Sequence, residues 1–175
     1  GGNTYARIHT ELENEGYHVF PNIFNTMDFH LPQKRSRVLI FATLEDVPAN
    51  FANTYTPEAV KELFDNNYLT LSVPYYKTTL DILAKTVDAK YYLSEKLKPT
   101  ILADGSANFK SKSDINQLIA RTLTASMHKM HRACQDNYYS QDFIDSHGAI
   151  NHVLDYTKEQ LAKLSIRKLT PQEAF

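Results

Sequence analysis

The sequence has few of the features that define a secreted, membrane-bound or highly charged protein. A single cysteine, Cys134, excludes a disulfide within the chain. No run of about 18 apolar residues predicts a membrane span, and no charged and apolar leader predicts a secretory signal. The formal net charge is −1, so overall charge does not indicate a polyanionic partner. These absences favour a cytoplasmic protein without a membrane partner.

The residues that are abundant suit a folded α/β protein. Apolar residues make up 42% of the 175-residue chain, with 9 Phe and 11 Tyr available to fill a core. Helical spacing of apolar residues predicts a first helix that ends at Gly16. Residues 17–20 and the apolar run 38–42 predict strands, the second one buried, joined by a polar loop over 21–34. We therefore expect the edge of an α/β sheet, with a strand pair that could be antiparallel.

Beyond Thr43 the sequence becomes rich in Asn, Thr and Tyr and predicts a second, irregular module that extends to about residue 165. Thr56 and Pro57 are suited to begin a helix, because a hydroxyl cap followed by proline is common at helix starts. Thr170 and Glu173 form a capping box at the start of a last helix. The predicted helices of this region cover residues 56–64, 80–87, 89–97 and 158–164.

The first segment with candidate chemistry is residues 31–37. Alternation along an extended backbone places Arg35 and Arg37 on the same side, so that two guanidinium groups point together. Such a pair suits a phosphate together with a carbonyl oxygen. The alternative is a pair of solvated charges that lead into a strand.

A second candidate segment covers residues 121–132. It has no acidic side chain before Asp136, and Tyr138 and Tyr139 follow closely. Cations beside aromatic faces are typical of nucleic-acid surfaces. The alternative is a solvated helix face followed by two core tyrosines. A third segment, residues 166–173, is a basic approach to a capped helix and is a weak signal alone.

Together the three segments resemble the DNA (cytosine-5) methyltransferase family. Residues 25–37 are similar to its motif ending Gln-x-Arg-x-Arg, and residues 167–173 to its late motif Arg-x-Leu-Thr-Pro-x-Glu. Thr122 and Leu123 match the Thr-Leu pair of the target-recognition domain that lies between these motifs. The resemblance covers nearly the whole chain. One departure is His30, where the family usually has a glycine that could allow a positive-φ turn.

The resemblance implies a division of the chain into three parts. Residues 1–45 would be the C-terminal part of the catalytic domain, at the edge of a Rossmann-like methyltransferase sheet. Residues 46–165 would be an irregular α+β target-recognition domain, and residues 166–175 a return to the catalytic or hinge region. Double-stranded DNA is the expected partner.

Residue roles also follow from the resemblance. Arg37 would hold O2 of a flipped-out cytosine, and Arg35 would support the pocket and the nearby DNA backbone. Both count as catalytic-site residues without breaking a bond. The expected DNA-binding residues are Arg121, Thr122, Leu123, Lys129 and Arg132.

Several family features are missing from the sequence. The glycine-rich loop for S-adenosylmethionine and the Pro-Cys pair that attacks cytosine are absent, so we expect them upstream, in an N-terminal catalytic part of the same protein. The fragment itself is then expected to bind no cofactor and to be inactive alone. Cys134 follows Ala133 rather than proline, so we interpret it as structural. His128, His131 and Cys134 lack an evident fourth ligand, so no metal site is predicted.

The expected parent protein is a bacterial, nucleoid-associated enzyme that methylates C5 of cytosine in a specific DNA sequence, as part of a restriction-modification system. Two alternatives remain open at this stage. One is a non-catalytic nucleic-acid-binding module or split subunit. The other is a relative that methylates cytosine in RNA. A recognition insert of roughly 120 residues favours duplex DNA.

Overall fold

The computed structural model describes residues 2–72, 74–104, 108, 110–125, 131–151 and 156–174. These residues divide into two compact units. Unit 1 comprises Gly1–His30 and Arg35–Tyr75, and unit 2 comprises Leu31–Lys34 and Tyr76–Phe175. The predicted division by role at residues 45/46 and 165/166 stays a prediction, because compactness does not test it. Within the described ranges, no helix is long and apolar enough to cross a membrane.

The elements are numbered in chain order. The helices are α1 (Gly2–Asn14), α2 (Phe51–Thr54), α3 (Pro57–Leu71), α4 (Lys98–Ile101), α5 (Gln141–Asp145), α6 (Lys158–Lys163) and α7 (Pro171–Ala174). The strands are β1 (His18–Asn25), β2 (Gln33–Lys34), β3 (Ser36–Thr43), β4 (Ala120–Arg121), β5 (Tyr138–Ser140) and β6 (Ile166–Lys168). Short 3-10 turns cover Thr26–Phe29, Thr79–Asp81 and Ala89–Tyr91.

The first helix and its stop signal are confirmed in unit 1. Gly16 lies two residues after the end of α1 and has φ +87°. Its N–H donates to the Glu13 carbonyl at 2.9 Å, and the Tyr17 N–H donates to the Leu12 carbonyl at 3.0 Å. This pair of bonds is the arrangement in which a glycine ends a helix.

Strands β1 and β3 form the predicted antiparallel pair, with His18 opposite Thr43 and Asn25 opposite Ser36. The loop predicted over residues 21–34 is wrong in part, because β1 continues through Pro21. Among the described residues β1 has β3 as its single partner, and proline is tolerated in such edge strands.

The predicted burial of β3 is also wrong. Val38 and Leu39 are about half exposed, and successive strand residues point to opposite faces, so the described residues of unit 1 leave both faces of the β1–β3 pair partly open.

Aromatic rings build the core of unit 1. They lie between the β1–β3 pair and the helices that follow it, with ring centroids 4.8 to 6.3 Å apart. Helix α3 begins as predicted, because the Thr56 hydroxyl accepts a hydrogen bond from the Ala59 N–H at 3.2 Å. It extends seven residues past the predicted end at Phe64, to Leu71. Phe24 is buried and Phe41 is 40% exposed at the edge of this cluster. The rings of the cluster are Phe20, Phe24, Phe29, Phe41, Phe51, Tyr55 and Phe64.

Two hydrophobic clusters form the core of unit 2, and the short β5–β6 pair separates them. Successive residues of β5 point to opposite faces, so Tyr138 packs with Ile101 and Ile166 while Tyr139 packs with Phe143 and others. Both tyrosines are buried, at 2% and 0% exposure. The interpretation of these rings as a nucleic-acid surface is therefore wrong, and the alternative of core tyrosines is correct.

The helices predicted over residues 80–87 and 89–97 are wrong. The Asp81 carboxylate accepts hydrogen bonds from the N–H groups of Lys77 and Thr78, and the Asp88 carboxylate from that of Lys90. Such local bonds favour a tight turn over a continued helix. Helix α6, by contrast, is confirmed with a capping box at Thr157.

Candidate functional site

The loop with the first arginine motif begins and ends in unit 1. The Asn25 side-chain oxygen accepts hydrogen bonds from the N–H groups of Met27 and Arg35, both at 3.2 Å. The Thr26 N–H donates to the Arg35 carbonyl at 3.1 Å. These bonds tie the chain that leaves β1 to the chain that enters β3.

Arg35 and Arg37 are both exposed at this tie. One nitrogen of Arg37, Nη1, donates to the Ser36 carbonyl at 2.7 Å. Within the described residues, this is the one hydrogen bond that the Arg37 guanidinium makes. An arginine of this kind has donors available for an anion or a carbonyl oxygen.

Within unit 2, the structure brings the first motif and the Thr-Leu pair together. Strands β2 and β4 are parallel, with Gln33 opposite Ala120 and Lys34 opposite Arg121. The Thr122 hydroxyl donates to the Lys34 carbonyl at 2.8 Å. Two segments separated by 88 positions in the sequence therefore share a hydrogen-bonded ladder.

Residues of the late motif, 167–173, also lie close to the β2–β4 ladder. A cavity of about 200 Å³ in unit 2 is lined by residues from all three segments that the sequence singled out. Leu123 and Leu169 line it and belong to, or pack against, the cluster around Tyr139. The lining residues are Leu31, Pro32, Gln33, Tyr76, Ile82, Ala120, Leu123, Leu169, Glu173 and Ala174.

Arg121 has mainly internal contacts. Its Nη1 donates to the carbonyls of Asp114 and Ala133 at 2.9 Å and to that of Asp136 at 3.3 Å. Its Nη2 donates to the Asp114 carboxylate at 3.3 Å. The Asn137 side chain brackets the Arg121 backbone, accepting from its N–H and donating to its carbonyl. Arg121 therefore stabilises this turn, and the DNA contact predicted for it has no support from these contacts.

Arg132 is exposed, whereas its backbone is anchored. Its N–H donates to the Asp136 carboxylate at 3.2 Å, and burial raises the pKa of that carboxyl against this hydrogen bond. His131 is turned inwards, with Nδ1 3.0 Å from the Tyr138 hydroxyl. Lys129 and His128 lie outside the described residues. Arg132 is thus the described charge of this segment that is available to a partner.

A buried ion pair is the feature that sequence analysis missed. Arg167 is 0% exposed, and its Nη1 and Nη2 donate to the two oxygens of Glu173 at 2.9 and 2.7 Å. Nη2 also donates to the Ala84 carbonyl at 2.9 Å, while the Glu173 carboxylate accepts from the N–H groups of Ala84 and Thr170. The available signal was an arginine six positions before the glutamate of the capping box.

The pKa of Glu173 reflects this environment. Burial alone would raise it, but the hydrogen bonds from Arg167, Thr170 and Ala84 lower it below the ordinary value of 4.5. The capping box is confirmed, since the Glu173 N–H also donates to the Thr170 hydroxyl at 3.2 Å. The motif therefore connects α7 and β6 to the turn at Ala84.

The described cysteine and histidine residues give no sign of metal binding. Cys134 is a free, half-buried thiol. In the part of the chain that the structure describes, no three His, Cys, Asp or Glu side chains are grouped to hold a metal ion. His128 is not among the residues searched.

Comparison with known proteins then decides the family. The family model for C-5 cytosine-specific DNA methylase matches residues 1–175. The chain belongs to this family. It is 31% identical over 105 residues to the Type II methyltransferase M.NgoBI of Neisseria gonorrhoeae, in an alignment that covers 58% of this chain and 27% of that protein. It is 34% identical over 97 residues to M.SsoII of Shigella sonnei, covering 55% and 22%.

Solved structures confirm the predicted α/β methyltransferase fold. The S. pombe Dnmt2 methyltransferase matches with a TM-score of 0.63 at 15% identity, covering 97% of this chain and 48% of that one. The Entamoeba histolytica methyltransferase EhMeth matches with a TM-score of 0.61 at 16% identity, covering 97% and 43%. At these identities the likeness establishes the fold alone. The chain spans less than half of these structures, and its alignments cover about a quarter of M.NgoBI and M.SsoII.

Proposed function

We propose that this chain is the DNA-recognition part of a longer enzyme, called the parent enzyme below. The parent enzyme transfers a methyl group from S-adenosylmethionine to C5 of a cytosine flipped out of a specific duplex sequence, within a restriction-modification system. The observation that carries the proposal is the β2–β4 ladder, in which Thr122 is bonded to Lys34. This ladder supports a recognition segment that is hydrogen-bonded to the residues immediately before Arg35.

Arg37 is assigned to the flipped cytosine. Extruding a base costs a few kcal/mol, which pocket contacts must offset. The exposed fork of Arg37 can donate to O2 of the base, and Arg35 can support the pocket and the DNA backbone beside it. The contrast with Arg167 supports this assignment, since the donors of that arginine bond Glu173 and backbone carbonyls.

Recognition of DNA is assigned to Thr122, Leu123, Lys129 and Arg132. Thr122 is small enough for close approach to a DNA backbone, and its hydroxyl oxygen keeps lone pairs after donating to Lys34. We assign the methyl donor and the attacking cysteine to the rest of the parent enzyme, because the sequence has no glycine-rich loop and no Pro-Cys pair. No residue of this chain is given a role toward S-adenosylmethionine.

Salt dependence of DNA binding tests the recognition role. In the parent enzyme, Arg132→Ala and Lys129→Ala are each expected to reduce the slope of log affinity against log salt by about one, because each lost phosphate contact releases one counterion fewer. The matched control is Arg7→Ala, which removes an arginine that is 84% exposed on α1. That variant should keep the slope of the unmodified enzyme. Unchanged slopes in both test variants would contradict the DNA interface.

A further inference from the structure

His30 adopts a backbone conformation that is uncommon for a residue with a side chain. Its φ and ψ are 59° and 25°, in the left-handed region, at the end of the 3-10 turn Thr26–Phe29. Glycine enters this region most easily, although His, Asn and Asp are found there more often than other residues. The tight turn expected from glycine is therefore present with a histidine in its place.

Helix α3 encloses the His30 ring. The imidazole Nε2 lies 3.0 Å from Oδ1 of Asp65, and Lys61 bonds the second oxygen of that carboxylate. The rings of Phe64, Tyr68 and Tyr75 meet the imidazole edge to face. Their centroid distances are 5.0, 4.8 and 4.0 Å. The His30 side chain is 12% exposed, so the ring has one well-defined place.

The contacts also define which imidazole nitrogen faces the Asp65 carboxylate. Hydrogen bonds from Lys61 and, to a smaller extent, from His30 lower the pKa of Asp65. An ionised carboxylate can only accept, so Nε2 is the donor. Nδ1 is buried and has no hydrogen-bond partner among the described residues. The ring is therefore held through Nε2 and its aromatic faces.

His30 stands at one end of the motif loop. The chain leaves unit 1 after His30 and returns to it at Arg35, where Asn25 accepts from the Arg35 N–H. Four residues, 31–34, lie between these two anchors. Fixing both ends of so short a segment sharply reduces the number of conformations open to residues 31–34, which lead into Arg35.

We propose that His30 is a positioning residue for the pocket arginines. The ring, locked by Asp65 and the aromatic side chains, fixes the start of the loop, while the Asn25 bond fixes its end at Arg35. A glycine would fit the turn but leave the start of the loop free to move. This inference rests on the proposed function, since it concerns the arginines assigned to the cytosine pocket.

Two variants of the parent enzyme separate positioning from stability. His30→Gly suits the backbone and removes the ring, and Asp65→Asn keeps the shape of its side chain and weakens the hold on Nε2. We expect His30→Gly to lower the single-turnover methylation rate roughly ten- to hundredfold, since small misplacements in a site have such effects. The dissociation constant for DNA should stay within about twofold, because the arginine fork acts after the base is flipped. Asp65→Asn should lower the rate less, and the double variant should match His30→Gly.

The control is His18→Ala in the same hairpin, at a half-exposed histidine 3.9 Å from Asp46. All variants are assayed well below their Tm. Loss of rate in His30→Gly, with unchanged DNA affinity and a normal His18→Ala, supports positioning. A normal rate in folded His30→Gly and Asp65→Asn overturns it.

Amide hydrogen exchange provides a readout that is independent of catalysis. In His30→Gly, the Arg35 N–H should exchange at least about tenfold faster, because opening of the loop start releases its bond to Asn25. Equal exchange in the variant and the unmodified protein overturns the inference, even if the parent enzyme methylates nothing. If the parent enzyme has no methyltransferase activity but the variant shows the faster exchange, the proposed function is contradicted, whereas the role of His30 in fixing the loop is supported.

Discussion

Replacing Arg37 with alanine in the parent enzyme is expected to slow single-turnover methylation by roughly 30- to 1,000-fold. This range corresponds to about 2 to 4 kcal/mol for a charged hydrogen bond that acts in a buried site on the flipped base. DNA affinity should change much less, because the fork meets the cytosine only after extrusion. Quench-flow measurement of methyl transfer and a separate DNA titration check both parts.

Arg37→Lys is the informative companion, since it keeps the charge and loses the planar fork. It should recover DNA affinity fully and turnover only in part. Arg132→Ala is the matched control, because it also removes an exposed arginine. It should weaken DNA binding and have little effect on the single-turnover rate at saturating DNA. Near-normal methylation by Arg37→Ala would contradict the assignment of Arg37 to the cytosine pocket.

The second large effect is expected for stability rather than catalysis. Glu173→Gln should reduce the free energy of unfolding of unit 2 by about 3 to 5 kcal/mol, because it leaves the buried Arg167 without its counter-charge. Urea denaturation followed by circular dichroism measures the loss. Asp88→Asn is the control: Asp88 lies 3.7 Å from Lys90 and both side chains are more than half exposed, so its variant should cost less than about 1 kcal/mol. Equal stabilities for both variants would contradict a structural role for the buried pair.

The same pair gives a pH dependence with a defined sign. Since the folded state lowers the pKa of Glu173, its contribution is complete above the ordinary value of 4.5 and is lost as the pH falls from there through the folded pKa. The stability difference between the unmodified protein and Glu173→Gln should therefore shrink on acidification below about pH 4.5. This difference isolates Glu173 from other carboxyls such as Asp136, whose raised pKa acts in the opposite direction.

Helix ends that are set by residues close together in the sequence were predictable. Gly16 ends α1, Thr56 begins α3, and Thr170 with Glu173 caps α7, because each signal is a bond between near neighbours. The region 80–97 was not predictable in this way. There the aspartates favour turns, and Ala84 is held by a carboxylate 89 positions away.

The candidate site shows the same division. The two exposed arginines of the first motif and the Thr-Leu pair were identified from their sequence pattern. Their arrangement was not, since the ladder between Lys34 and Arg121 depends on tertiary pairing. Charge patterning also could not distinguish Arg121, which bonds the carbonyls of its own loop, from Arg132, which is exposed.

The central claim is that the parent enzyme methylates cytosine in a specific DNA sequence that this chain helps to recognise. The most direct measurement is bisulfite sequencing of duplex DNA after incubation with the parent enzyme and S-adenosylmethionine, beside an RNA transcript of the same sequence. We predict one protected cytosine at every copy of a short recurring DNA sequence and none in the transcript. Complete conversion of the DNA, whether the transcript is protected or not, would contradict the claim.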